Sequence, residues 1–218
     1  INMPEISRVR RSKEEARQTY DWISRWYDFV AVSGRKFTNL GLKMLNLQSG
    51  ETVLEIGFGT GRVLPVLARA AQPAETHGID ISEKMHALAE KRIQSLGLGD
   101  AVHLKVGDAS KLSHRDEYFD AIFISFTLEL FDTPEIPILL DECQRVLKSD
   151  GRLGLVALEK RDCRAVRIYE WFHQRIPALV DCRPIYTVDS LEEAGFKISK
   201  REILKMWGLP VSIVVAMK

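Results

Sequence analysis

The run Thr52-Val53-Leu54-Glu55-Ile56-Gly57-Phe58-Gly59-Thr60-Gly61 decides the fold of this chain. A short apolar stretch carries an acid near its end, and three glycines then fall at alternate positions. Beyond them Val63, Leu64, Val66, Leu67 and Ala70 recur at helical spacing, so the unit reads as strand, tight loop and helix, the helix beginning near Thr60. Pro65 sits close enough to that start for little of the hydrogen-bond ladder to be lost. Glycine tolerates positive φ and has no Cβ, so the loop can turn sharply and bring its backbone against a ligand. The helix start adds unpaired N–H groups and the positive end of its dipole.

Working outward, Thr76 to Asp80 reads as a second strand ending in an acid. Asp80 lies 19 residues beyond Gly61, near the distance at which nucleotide-binding α/β folds place a carboxylate for ribose hydroxyls. A plain helix cap is the competing role, but Ser82 already serves the next helix, which carries Met85, Leu88, Ala89, Ile93 and Leu96 and ends at Gly97. Ala101 to Val106 is the third strand, followed by Gly107-Asp108-Ala109-Ser110. Phe119 to Phe126 is nearly continuously apolar, as a strand covered on both faces should be. Its end, Ser125-Phe126-Thr127-Leu128-Glu129, points to the crevice beyond the carboxyl ends of the strands. Thr133-Pro134-Glu135 starts a helix that runs to Leu147, and Lys148 to Gly151 turns the chain into a fifth strand, Arg152 to Leu158. Ala165, Ile168, Tyr169, Phe172 and Ile176 mark an amphipathic helix, and another runs from Val188 to Ala194. Strands near Phe196–Leu204 and Val211–Met217 close the chain. Alternating strands and helices imply right-handed crossovers and a mostly parallel, doubly wound sheet. Only Lys205 to Pro210 separates the last two strands, too short for a parallel crossover, so one of them is antiparallel.

Upstream, a basic lead (Arg8, Arg10, Arg11, Lys13) precedes a capping box, Ser12 with Glu15, that opens a helix. Ala16, Tyr20, Ile23, Tyr27 and Val30 share one face of it, and Trp22, Trp26 and Phe29 widen the apolar surface. A second helix, Gly34 to Asn46, leads to the first strand.

The 218 residues suit one domain with a substantial core, and 45% hydrophobic with 28% charged residues is a globular balance. A formal net charge of +1 gives no electrostatic case for nucleic acid or for an anionic membrane, local patches aside. Three cysteines without C-x-x-C spacing argue against a disulfide framework, and the five histidines show no metal-ligand spacing, so no metal is expected. Without a signal-peptide pattern or an apolar run near 18 residues, the reading is a soluble, cytoplasmic protein without stable membrane insertion.

The glycine spacing differs from the dinucleotide fingerprint G-x-G-x-x-G: the third glycine comes one residue early, and Glu55 would be a poor neighbour for a pyrophosphate. The pattern E-x-G-x-G-x-G after a strand instead resembles motif I of the class I S-adenosylmethionine-dependent methyltransferases. The Lys148 region, L-K-x-x-G-R-L, is similar to that family's third motif. Tyr20-Asp21 and Tyr27-Asp28 resemble the N-terminal segment of the ubiquinone/menaquinone C-methyltransferase branch, where the segment closes over the cofactor. The stretches D-C-R-P-I-Y, L-E-E-A-G-F and W-G-L-P-V-x-I-V-x-A look like the same branch. At the fourth-strand end S-F-T-L-E-L-F-D departs from the branch's Asn-rich form.

The resemblance implies a Rossmann-like α/β fold of seven strands in the order 3-2-1-4-5-7-6, with N-terminal lid helices. It divides one domain into a lid (1–46), a cofactor core (50–160), a substrate-side segment (161–195) and a closing strand pair (196–218). It implies S-adenosylmethionine as cofactor, held by Tyr20, Tyr27, Glu55, Gly57, Gly59, Gly61, Asp80, Ile81, Asp108, Ala109 and Ser125, with Asp108 receiving the adenine amine. The acceptor it implies is a small, apolar molecule such as a demethylmenaquinol-type quinone, which can be membrane-derived. A phospholipid head-group or other N- or O-methyltransferase is the alternative. A nicotinamide-dependent oxidoreductase and a non-catalytic cofactor-binding module are weaker ones. For carbon methylation, a base that deprotonates a ring hydroxyl raises nucleophilicity at the adjacent carbon. His173, Tyr169, Asp181 and Tyr186 are the candidates, and no spacing selects among them.

Overall fold

The computed structural model describes residues 33–175 and 182–218. The Ser12 capping box, Tyr20, Tyr27 and Asp181 lie outside the described residues. The chain after residue 33 alternates helix and strand: α1 (33–45), β1 (Val53–Ile56), α2 (Leu64–Ala71), β2 (Thr76–Asp80), α3 (Glu83–Ser95), β3 (Val102–Val106), β4 (Phe119–Ser125), α4 (Glu135–Val146), β5 (Leu147–Leu158), α5 (Arg164–Arg175), α6 (Thr187–Glu193), β6 (Lys197–Met206) and β7 (Leu209–Met217). A single 3₁₀ turn, Leu128–Leu130, separates β4 from α4.

The sheet order is β3-β2-β1-β4-β5-β7-β6. Strands β1 to β5 are mutually parallel, while β7 runs antiparallel to both β5 and β6. That is the order the resemblance implies, with the reversal where the short 205–210 connection requires it. Period-two alternation sends Leu54, Ile56, Ile122 and Ile124 to one face, with α4 and α6 packed on them. Val53, Ala121 and Phe123 go to the other face, under α1, α2 and α5. Both faces being covered explains why β1 and β4 read as nearly continuous apolar runs, each with one acid, rather than alternating ones. A third cluster (Phe58, Leu64, Ala68, Ala89, Ile93) joins α2 to α3.

Two local readings need correction. Helix α2 starts at Leu64 rather than near Thr60, because three positive-φ glycines hold residues 57–61 out of helical geometry. Its buried stripe is therefore Leu64, Leu67, Ala68 and Ala71, while Val66 and Ala70 face solvent. Strand β5 begins at Leu147, directly after α4, and Lys148 to Gly151 form no separate turn. The β4–β5 register moves there, from Phe119 opposite Leu147 to Ala121 opposite Arg152, so the extra residues are absorbed as a bulge. Among the described residues, no helix is long and apolar enough to cross a membrane.

Candidate functional site

A cleft of about 780 Å³, open solvent included, lies beyond the carboxyl ends of β1, β2, β3 and β4. Its floor is the loop after β1, where Gly57, Gly59 and Gly61 have φ of 73°, 51° and 71°. Two of these glycines answer to packing. A Cβ on Gly57 would lie 2.3 Å from both Oγ1 and Cγ2 of Thr127, and one on Gly61 would lie 2.7 Å from the Cβ of Ala89 on α3. Gly59 lines the cleft itself. The loop is thus pressed between the β4 end and α3, with its central glycine turned to the ligand side.

Asp80, at the end of β2, ties this loop down. Its Oδ2 accepts the Gly59 N–H at 2.8 Å and its Oδ1 accepts the Ser82 N–H at 2.9 Å. Ser82 caps α3 through Met85 N–H (3.2 Å), as expected, so Asp80 is left to face the cleft beside Ile81. Burial pushes the Asp80 carboxyl up, against the pull of backbone N–H groups of Ser82, Gly59 and Ile81. Glu55 is buried in β1 and does not reach the cleft wall. Its Oε2 has no hydrogen-bond partner among the described residues. Burial first, and repulsion from Asp80 second, push it up to about 8.

Asp108 and Ala109 lie on the opposite wall, after β3. Asp108 Oδ1 accepts from both the N–H (2.9 Å) and the hydroxyl (2.8 Å) of Ser110, which fixes the turn. Ser125 does not line the cleft; its hydroxyl pairs with Thr38 at 2.9 Å and joins the β4 end to α1. The structure adds Met85, Thr127, Leu130, Phe131 and Glu135 to the wall. Met85 was legible only as a core position of α3, and the others come from a 3₁₀ turn and helix start whose approach to the glycine loop depends on tertiary packing.

Of the candidates for a base, the structure describes the side chains of Tyr169 and Tyr186. Tyr169 donates its hydroxyl to the Cys182 carbonyl at 2.8 Å. Tyr186 precedes α6, and burial together with Glu170, Asp189 and Asp162 pushes its phenol up, so it holds its proton. Neither lines the cleft. His173 belongs to α5. A feature absent from the sequence reading is Arg183, which is fully buried. It donates to Thr133 Oγ1 (3.0 Å) and to the Phe131 carbonyl (2.5 Å), tying the segment before α6 to the rim that carries Phe131 and Glu135. Nearby Glu129, fully buried, accepts the Leu158 N–H at 3.3 Å and is pushed up to about 8 by burial.

The chemistry of the cleft is one-sided. Its described lining holds three acids, Asp80, Asp108 and Glu135, with no Lys, Arg or His. A pyrophosphate would find no cation there, whereas a ligand with a diol, an amine and a positive charge would find acceptors. S-adenosylmethionine has those groups, and the orphaned Glu55 oxygen behind the loop adds a further buried acceptor on the same side.

Comparison with known proteins agrees. A methyltransferase-domain family matches residues 53–151. A demethylmenaquinone methyltransferase of Lactobacillus johnsonii is 36% identical over 115 residues, which is 52% of this chain and 46% of that protein. The enzyme of that name from Thermotoga maritima is 33% identical over 153 residues, 68% of this chain and 63% of that protein. The chain thus spans between about half and just under two thirds of these curated relatives. Among solved structures, a SAM-dependent methyltransferase from Aquifex aeolicus superposes with a TM-score of 0.63 at 25% identity, covering 83% of this chain and 88% of the other. The [4+2]-cyclase SpnF shares the fold, with a TM-score of 0.78 at 20% identity over 95% and 97% of the two chains. By motif, strand order and relatives, the chain carries a methyltransferase domain and is similar to the class I S-adenosylmethionine-dependent methyltransferases.

Proposed function

We propose that the chain transfers the methyl group of S-adenosylmethionine to a small apolar acceptor of the demethylmenaquinol type. The observation that carries the reading is the cleft: a glycine loop held at positive φ, acids on three walls and no basic side chain among its described residues. The sulfonium supplies an electrophilic methyl group. In this reading Asp80 receives the ribose hydroxyls with lone pairs left over from Gly59 and Ser82, and Asp108 receives the adenine amine beside Ala109. Ile79, Ile81 and Met85 give the apolar wall against which the base lies. Glu55 balances the ammonium group from beneath the loop. Thr127, Leu130 and Phe131 form the side toward the acceptor and exclude water, and Arg183 holds that rim in place. Positioning and dehydration then supply much of the acceleration.

The acceptor class rests on the names of the relatives and on the apolar character of this rim. Transfer of labelled methyl from S-adenosylmethionine into demethylmenaquinol, with phosphatidylethanolamine and an aqueous metabolite extract as parallel acceptors, tests it. Label in the quinone fraction is expected. Label confined to the phospholipid or the aqueous extract would overturn the acceptor assignment, and label in none of them would overturn the transferase reading.

A further inference from the structure

The hairpin between β6 and β7 turns on two residues, Trp207 and Gly208, with φ of 52° and 86°. Two positive φ angles in a two-residue loop are the type I′ arrangement, which favours Asn-Gly or Asp-Gly. A bulky side chain adopts left-handed backbone only at a cost. Here the costly residue is an indole that stands 71% exposed. It packs no core, so folding alone gives no reason for it.

The neighbouring surface extends the same chemistry. A Cβ on Gly208 would lie 3.9 Å from the Ala165 Cβ, so the hairpin tip sits on the start of α5. On that helix Arg164, Arg167, Ile168 and Trp171 fall at i, i+3, i+4 and i+7 and form one exposed stripe. Ile168 is 59% and Trp171 48% exposed. Val166 and Tyr169 point the other way, into the core. Arg161, three residues before Arg164, is exposed as well. The acids facing it are Asp162, 3.8 Å from Arg167, and Glu170, which is mostly buried against Lys160. Cations are therefore in excess.

Topology gives this surface its direction. Val211 of β7 pairs with Leu158, the last residue of β5, so the hairpin tip projects past the carboxyl end of β5. Helix α5 starts from the same end. The cleft opens at the carboxyl ends of β1, β2 and β4, along that same edge of the sheet.

We infer that Trp207, Trp171 and Ile168, flanked by Arg161, Arg164 and Arg167, form a peripheral docking surface for an anionic lipid bilayer. Indoles favour the interfacial zone, where the ring is dehydrated and its N–H stays wet, and basic side chains pair with lipid phosphates. Docking of this kind turns the cleft edge toward the bilayer without a spanning helix. It holds for whatever acceptor the cleft takes.

Vesicle flotation with apo protein tests the surface independently of methyl transfer. Binding to phosphatidylglycerol–phosphatidylcholine vesicles is expected, with much weaker binding to phosphatidylcholine alone and at high salt. Arg161→Gln, Arg164→Gln and Arg167→Gln together should lower partitioning on the order of a hundredfold, at about fivefold for each charge. Trp171→Ser and Trp207→Asn should each cost about tenfold. Trp207→Asn restores the preferred turn residue, so its thermal midpoint should rise while binding falls, which separates docking from misfolding. Flotation that ignores the indoles would mean a charge-only surface, such as one for an acidic protein, and would overturn the proposal. Absence of flotation from anionic vesicles would overturn it too, leaving the methyltransferase reading intact.

Discussion

Replacing Asp80 with Ala perturbs two things that the structure places on one side chain. In the unliganded fold its carboxylate accepts the Gly59 and Ser82 N–H groups at 2.8 and 2.9 Å. Hydrogen bonds to a charged acceptor contribute about 1.5–3 kcal/mol each. Asp80 is only half-buried, and cleft water can replace part of what is lost. The stability cost should therefore be about 1–3 kcal/mol rather than the full sum. Loss of the ribose contact adds a further ~1.5–3 kcal/mol against cofactor binding, or about ten- to a hundredfold at 1.4 kcal/mol per decade. Urea unfolding of the apo protein reads the first effect, and calorimetric titration with S-adenosylhomocysteine reads the second. Asp80→Ala that unfolds earlier but binds within threefold of wild type would show that the carboxylate only braces the glycine loop. The ribose assignment would then be wrong.

Glu55 predicts a pH dependence. Its pKa in the fold, about 8, lies above the ordinary 4.5. The folded protein thus keeps a proton that the unfolded chain sheds between those values. Its contribution to apo stability is complete below the lower value and is lost as pH rises through the higher one. A cofactor ammonium should favour the ionised form, so binding near neutral pH should release protons and tighten toward pH 8. Glu55→Gln should flatten both trends, and calorimetry in buffers of different ionisation enthalpy checks it. Gly61→Ala should destabilise by about 2–5 kcal/mol, summing left-handed strain and the clash with Ala89, and urea unfolding measures it. If the N-terminal helix is a lid, backbone amides from Ser12 to Val32 should exchange fast in the apo protein and slow when cofactor binds. Equal exchange in both states would make that segment permanent core.

The strand order was legible because β1 and β4 are buried on both faces and read as nearly continuous apolar runs, and because six residues cannot carry a parallel crossover. Asp80 was legible from spacing, since the distance between the loop and the second strand end reflects one βαβ unit. The start of α2 was not, because helical periodicity continues through residues whose glycine backbone is not helical. The bulge at Lys148–Gly151 was missed for a related reason: residues typical of a turn also serve inside a strand that shifts register. The stretch from Ser125 to Glu129 was legible as the crevice end of β4, but Phe131 was not, because its place in the cleft is set by how the β4 end packs on Gly57. The burial of Arg183 was not legible either, since it follows from a contact between segments about 50 residues apart.

Calorimetric titration of the apo protein with S-adenosylhomocysteine and, separately, with NAD tests the central claim most directly, using wild type and a folded Gly59→Val variant. The acid-lined cleft and its glycine floor predict 1:1 binding of S-adenosylhomocysteine to wild type, no binding of NAD, and loss of binding when a branched side chain enters at Gly59. Binding of NAD, or unchanged S-adenosylhomocysteine affinity in the folded Gly59→Val protein, would contradict the account.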